Sequence, residues 1–307
     1  MIWIPKTLLN GQRLSALPPG IAGDTAFRIF CTPVLSQYRA SNHYQLVERA
    51  RFHLRNASWA RIPTPVANIQ TYTFDPDTDV PRGTILVVHG WTAEASFMTA
   101  IAEPIRRAGY RVVLLDLPAH GLSGAHSTNL IDCARATAAV AAHFGPISAV
   151  VAHSFGGMIS LVAAEGRMPM PCKLDISRFV LIACPNRLLQ VTADFSAHWG
   201  LTLGGQQAFE HRLERVGGRA LRCFAITKLL PAIGAKALVV HDRDDRDVTF
   251  EAAEEIANNV AAAELLPFQG FGHRNILFAP PVMRAIVSYL SRADRGATTA
   301  MAIGDSD

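Results

Sequence analysis

Residues Ile147–Met158 read I-S-A-V-V-A-H-S-F-G-G-M. An apolar run from Ile147 to Ala152 leads into a serine and a glycine pair, and a helical pattern starts near Met158. Continuous apolar character without polar alternation fits a strand covered on both faces. A strand passing at once into a helix is the repeating unit of a mostly parallel α/β sheet. Ligands of such sheets bind outside the carboxyl ends of the strands, and Ser154 falls at one of those ends. A tight corner there pushes the hydroxyl into the cleft and crowds the backbone. Small residues are therefore needed two positions before and two after the serine, and Ala152 and Gly156 supply them. The helix behind Phe155 turns its unpaired N–H groups and positive dipole end towards the same point.

The flanking sequence repeats this rhythm from residue 66 onward. Strands are predicted at Ile69–Phe74, Thr84–Val88, Arg111–Leu115, Ile147–Ala152, Phe179–Ala183, Ala237–Val240 and Glu264–Phe268. Helices are predicted near 94–108, 129–143, 157–166, 250–262 and 280–292. The expected fold class is α/β, a mostly parallel doubly wound sheet. Residues 187–228 break the rhythm with helical pieces and glycine pairs, which reads as a helical cap inserted into a core of 66–186 and 229–292. Residues 293–307 read as a flexible tail. Residues 1–65 read as an N-terminal extension. A basic helix over 38–58 carries Leu46, Ala50, Leu54 and Ala57 on one stripe and a solvated face with Arg39, Arg49, Arg51 and Arg55.

The segment A-H-S-F-G, residues 152–156, resembles the G-x-S-x-G nucleophile elbow of the α/β-hydrolase fold, with Ala152 at the first glycine position. That resemblance implies a catalytic serine, acid and histidine in this chain order. L-V-V-H-D-R-D-D-R-D-V-T, residues 238–249, resembles the family's acid loop and implies Asp245, while the residues alone leave Asp244 and Asp247 open. F-Q-G-F-G-H, residues 268–273, resembles the family's G-x-G-H pattern and implies His273 as the base. V-V-H-G-W-T, residues 87–92, resembles the H-G-x motif, which implies an oxyanion hole from the N–H groups of Trp91 and Phe155. L-L-D-L-P-A-H-G-L-S, residues 114–123, resembles a fourth family loop, with Ala119 in place of glycine and structural roles for Asp116 and His120. His153 and His241 read as structural histidines fixed by hydrogen bonds.

Composition narrows the classes. The 307 residues carry 29 basic and 25 acidic side chains, a net charge of +4, with no basic stripe interleaved with aromatics, so no nucleic-acid partner is expected. The aspartates at 242, 244, 245 and 247 are interrupted by two arginines and lack an EF-hand spacing, so no metal is expected. Five cysteines without a C-x-x-C pair read as buried reduced thiols. The first residues lack a basic stretch followed by an apolar one, and no apolar run reaches membrane-spanning length, which together predict a cytoplasmic protein without a membrane span.

The implied chemistry is acyl transfer to water without a cofactor. The expected partner is a small-molecule ester or thioester, partly apolar, and the oligomeric state is left open. Leu188, Leu189, Val191, Phe195, Trp199, Leu201 and Phe209 of the insert could line an apolar cap over Ser154 or form the cap's own core. The same fold also admits a cofactor-free lyase, a perhydrolase or a non-catalytic ligand-binding protein.

Overall fold

The computed structural model describes residues 14–33 and 41–303. Its centre is one eight-stranded sheet: β1 Ser58–Pro63, β2 Asn68–Phe74, β3 Thr84–Val88, β4 Arg111–Leu115, β5 Ile147–His153, β6 Arg178–Ile182, β7 Lys236–Asp242 and β8 Ala263–Phe268. The spatial order is β1-β2-β4-β3-β5-β6-β7-β8. Strands β3 to β8 are parallel, and β2 is antiparallel to both of its neighbours. The fold is the doubly wound α/β sheet that the alternation of runs predicts.

The helices are α1 Pro19–Phe30, α2 Ser41–Leu54, α3 Thr99–Arg107, α4 Leu130–Phe144, α5 Phe155–Glu165, α6 Leu188–Trp199, α7 Leu203–Gly217, α8 Ile226–Ile233, α9 Glu251–Asn259, α10 Gly272–Asn275 and α11 Pro280–Ile303. Every residue of β3 is buried. Leu86 and Val88 point into one core with α4, α5 and α8, while Ile85 and Val87 point into the other with α3 and α11. Both faces are therefore apolar, which is why the strand sequences do not alternate. Burying side chains of this size contributes about 1.5–3 kcal/mol each.

Two differences from the sequence reading affect the site. The insert contains α6, α7 and the first turn of α8, and α1 from the N-terminal extension lies against α7, sharing its core. Arg49 and Arg51 of α2, and Arg55 just after it, are exposed, as a solvated arginine face requires, but Arg51 also reaches the buried Glu94 with two bonds of 2.7 Å. Arg39 lies outside the described residues. The helix α11 runs on to Ile303, through part of the segment read as a tail. Among the described residues no helix is long and apolar enough to cross a membrane.

Candidate active site

The carboxyl ends of β3, β5 and β7 and the loop after β8 converge on one cavity of about 340 Å³. Ser154 sits between β5 and α5 with φ 53° and ψ −128°, outside the wells that an L residue ordinarily occupies. The neighbouring backbone shows what permits the corner. A Cβ on Gly156 would meet the His89 carbonyl oxygen at 2.5 Å, so only glycine lets α5 approach β3 this closely. Ala152 is accommodated at the first elbow position, fully buried in the core beside Val88 and Leu181.

Ser154 Oγ lies 3.1 Å from His273 Nε2, and His273 Nδ1 lies 2.8 Å from Asp245 Oδ2. The simplest proton arrangement has Nδ1–H donating to the carboxylate, which leaves Nε2 free to accept from the serine hydroxyl. Asp245 Oδ1 accepts from the N–H groups of Asp247 and Val248 at 2.8 and 2.9 Å. His241 Nε2 stands 3.4 Å from Asp245 Oδ2 and donates to the Val248 carbonyl at 2.9 Å. Burial pushes the Asp245 carboxyl up, but hydrogen bonds from His241, His273 and Val248 outweigh it and hold the group well below the usual carboxylate range.

The neighbouring aspartates do something else. Asp242 Oδ2 accepts from the Phe271 N–H at 2.9 Å, and Asp244 Oδ2 accepts from the Gly270 N–H at 3.1 Å. They fasten the loop that carries His273 to the loop that carries Asp245. Among the described residues, no group of three or more His, Cys, Asp or Glu side chains gathers in a way that could hold a metal ion. His153, inside the elbow, donates from Nε2 to the His273 carbonyl at 2.9 Å. Burial first, and His273 second, push the His153 imidazole down to about 3, so it is neutral near pH 7. Both histidines read as structural are thus fixed by hydrogen bonds. That His153 binds the His273 carbonyl and His241 the Val248 carbonyl was not legible in spacing.

Trp91 and Phe155 both line the cavity. Phe155 is the first residue of α5, where N–H groups have no partner within the helix. Two neutral histidines lock the loop that carries Trp91. His89 Nε2 accepts from Leu117 N at 3.0 Å, and His120 Nε2 accepts from Thr92 N at 3.2 Å. Each donates its Nδ1–H to a nearby carbonyl, Gly90 and Pro118 respectively. Desolvation by burial pushes His89 down to about 4 and His120 to about 3. Asp116 accepts from Tyr72 Oη, Ala95 N and Leu122 N, joining β2, the Trp91 loop and the loop after β4.

The cap contributes less apolar surface than its composition suggests. Leu188, Phe195 and Phe209 are buried in the core that the cap shares with α1 and the sheet, and Val191 is the member of that apolar set that lines the cavity. The cavity lining is instead mixed. Phe97, Met98 and Leu277 are among its apolar lining residues, and Arg187, Gln190 and Glu255 are among its polar ones. Arg187 of the cap forms an ion pair with Glu255 of α9, and both line the cavity.

A family model described as alpha/beta hydrolase family matches residues 85–304. No protein with a curated description matches the chain. Among solved structures, the chain is similar to a lipase candidate of Acinetobacter baumannii AYE, with 16% identity, 85% of this chain and 99% of that chain covered, and a TM-score of 0.62. It is also similar to Est1E of Butyrivibrio proteoclasticus, solved with ferulic acid bound, with 15% identity, 76% and 96% covered, and a TM-score of 0.59. A third is an esterase of Exiguobacterium antarcticum, with 20% identity, 76% and 100% covered, and a TM-score of 0.56. At these identities the likeness speaks for the fold, and the match of the family model over most of the chain speaks for descent. The chain belongs to the alpha/beta hydrolase family.

Proposed function

We propose that the protein is a serine hydrolase that cleaves a carboxylic ester, or a thioester, of a small and partly apolar substrate through an acyl-enzyme. The observation that carries this reading is the hydrogen-bonded chain from Ser154 Oγ through His273 to Asp245, with distances of 3.1 and 2.8 Å. In the mechanism we infer, His273 Nε2 takes the hydroxyl proton as Ser154 Oγ attacks the carbonyl carbon. Asp245 stays ionised and stabilises the imidazolium that forms. The N–H groups of Phe155 and Trp91 donate to the oxyanion of the tetrahedral intermediate. His273 then returns the proton to the leaving alcohol or thiol, and water repeats the sequence on the acyl-enzyme.

The cavity supports the choice of substrate. Apolar lining from Phe97, Met98 and Leu277 suits a short acyl chain, and polar lining from Arg187 and Glu255 suits a hydrogen-bonding leaving group. A volume of about 340 Å³ is in the range of small-molecule sites. The test is a series of p-nitrophenyl esters from acetate to decanoate. Turnover is expected to peak at short acyl length and to fall at least a thousandfold in Ser154→Ala. Unchanged turnover in Ser154→Ala would end the proposal, as would a failure of the wild-type protein to turn over any ester or thioester.

A further inference from the structure

The family model begins at residue 85, yet the loop after β3 is gripped by residues that precede it. Phe30, the last residue of α1, is buried and stacks on the Trp91 indole with centroids 6.1 Å apart and planes inclined by 20°. The same ring meets Phe195 of α6 and Phe209 of α7 edge-on at 5.1 and 5.4 Å. The indole in turn meets Phe155 and His120 edge-on at 5.7 and 5.2 Å. It is thus clasped between the N-terminal helix and the elbow.

The helix that carries Phe30 is itself fixed. A Cβ on Gly23 would fall 2.5 Å from Ala208 Cβ and 2.7 Å from Phe209 N, so α1 and α7 touch at backbone distance. Asp24 pairs with Arg212 of α7 at 2.5 Å, and the Cys31 carbonyl accepts from Thr128 N at 2.7 Å. A second grip comes from α2. Arg51 binds Glu94, three residues beyond Trp91, in a two-bond fork with both distances 2.7 Å.

The loop needs such support. Thr92, next to Trp91, has φ 60°, a left-handed conformation that a β-branched residue adopts only when its surroundings impose it. We propose that helices α1 and α2 are a brace for this loop, and that Phe30 is a positioning residue that fixes the Trp91 N–H where the oxyanion forms. This inference rests on the reading of Trp91 as an oxyanion donor.

The test compares wild type, Phe30→Leu, Trp91→Leu and the double variant on p-nitrophenyl butyrate, each checked for folding by circular dichroism. Phe30→Leu is expected to lower kcat about tenfold or more with KM within a factor of two, because oxyanion donors act on the transition state. If Phe30 works through the indole, the double variant is no slower than Trp91→Leu alone. A folded Phe30→Leu protein with wild-type kcat, or effects that multiply in the double variant, would overturn the brace. A readout without turnover is the fluorescence difference between each protein and its Trp91→Phe counterpart. It isolates the indole at position 91 and is expected to shift to the red in Phe30→Leu. An unshifted emission would also refute the brace. Should the wild type hydrolyse nothing while the emission shifts, the hydrolase reading fails and the brace stands as a structural contact.

Discussion

Ser154 holds an L side chain at φ 53° and ψ −128°, which costs on the order of 1–3 kcal/mol that the rest of the fold must offset. Glycine carries no such penalty, though it loses more chain entropy on folding. Ser154→Gly is therefore expected to raise stability by about 1 kcal/mol in urea unfolding, while Ser154→Ala is expected to leave it nearly unchanged. A Ser154→Gly protein no more stable than Ser154→Ala would show that the corner is not strained. At this scale the sequence was partly legible. The elbow could be read because small residues must flank it. The residues alone left the acid open within D-R-D-D-R-D, because spacing does not reveal which carboxylate turns towards the histidine, and only the resemblance of the loop pointed to Asp245. Asp242 and Asp244 instead accept backbone N–H groups at positions 271 and 270, a role that depends on how two distant loops meet.

Strands β3 and β4 have the bounds that their apolar runs predict, since each is buried between helices on both sides. β1 was illegible for the opposite reason. Its residues Ser58–Pro63 are exposed except for Ile62, so no apolar run marks it, and it is held as an edge by pairing with β2. Helix α1 was equally silent. Its small residues Ala22, Gly23 and Ala26 form no large apolar stripe, and their purpose is closeness to α7. That closeness gives a prediction for the element. Gly23→Val is expected to destabilise the protein by about 1–3 kcal/mol through overpacking against the α7 backbone, measured as a lowered urea midpoint. A neutral Gly23→Val would mean that α1 can lift from α7 without loss.

Three buried neutral histidines, His89, His120 and His153, tie the molecule's stability to pH. Burial depresses all three, to about 4, 3 and 3, whereas an unfolded histidine titrates at about 6.5. The unfolded chain therefore binds more protons below that value. Their full contribution is present above about pH 6.5 and is lost as the pH falls towards 4. With three sites the steepest slope approaches about 4 kcal/mol per pH unit. Asp116 opposes part of this loss, because burial pushes its carboxyl up and protonation favours its folded form. The net expectation is a urea midpoint that declines steadily from pH 6.5 to 4.5 and a shallower decline in His120→Asn. A flat profile over that range would show that the imidazoles are not buried neutral.

The bonds from Asp242 and Asp244 to residues 271 and 270 make the acid-bearing and base-bearing loops one mechanical piece. When that piece shifts, carboxylate and imidazole travel together and their mutual spacing survives. What such a shift can stretch is the span to the hydroxyl, bridged on the elbow side by the ring of His153. The pairing that sets the imidazole's tautomer is thus insulated from loop motion, and in the proposed mechanism readiness for proton transfer reduces to a single distance.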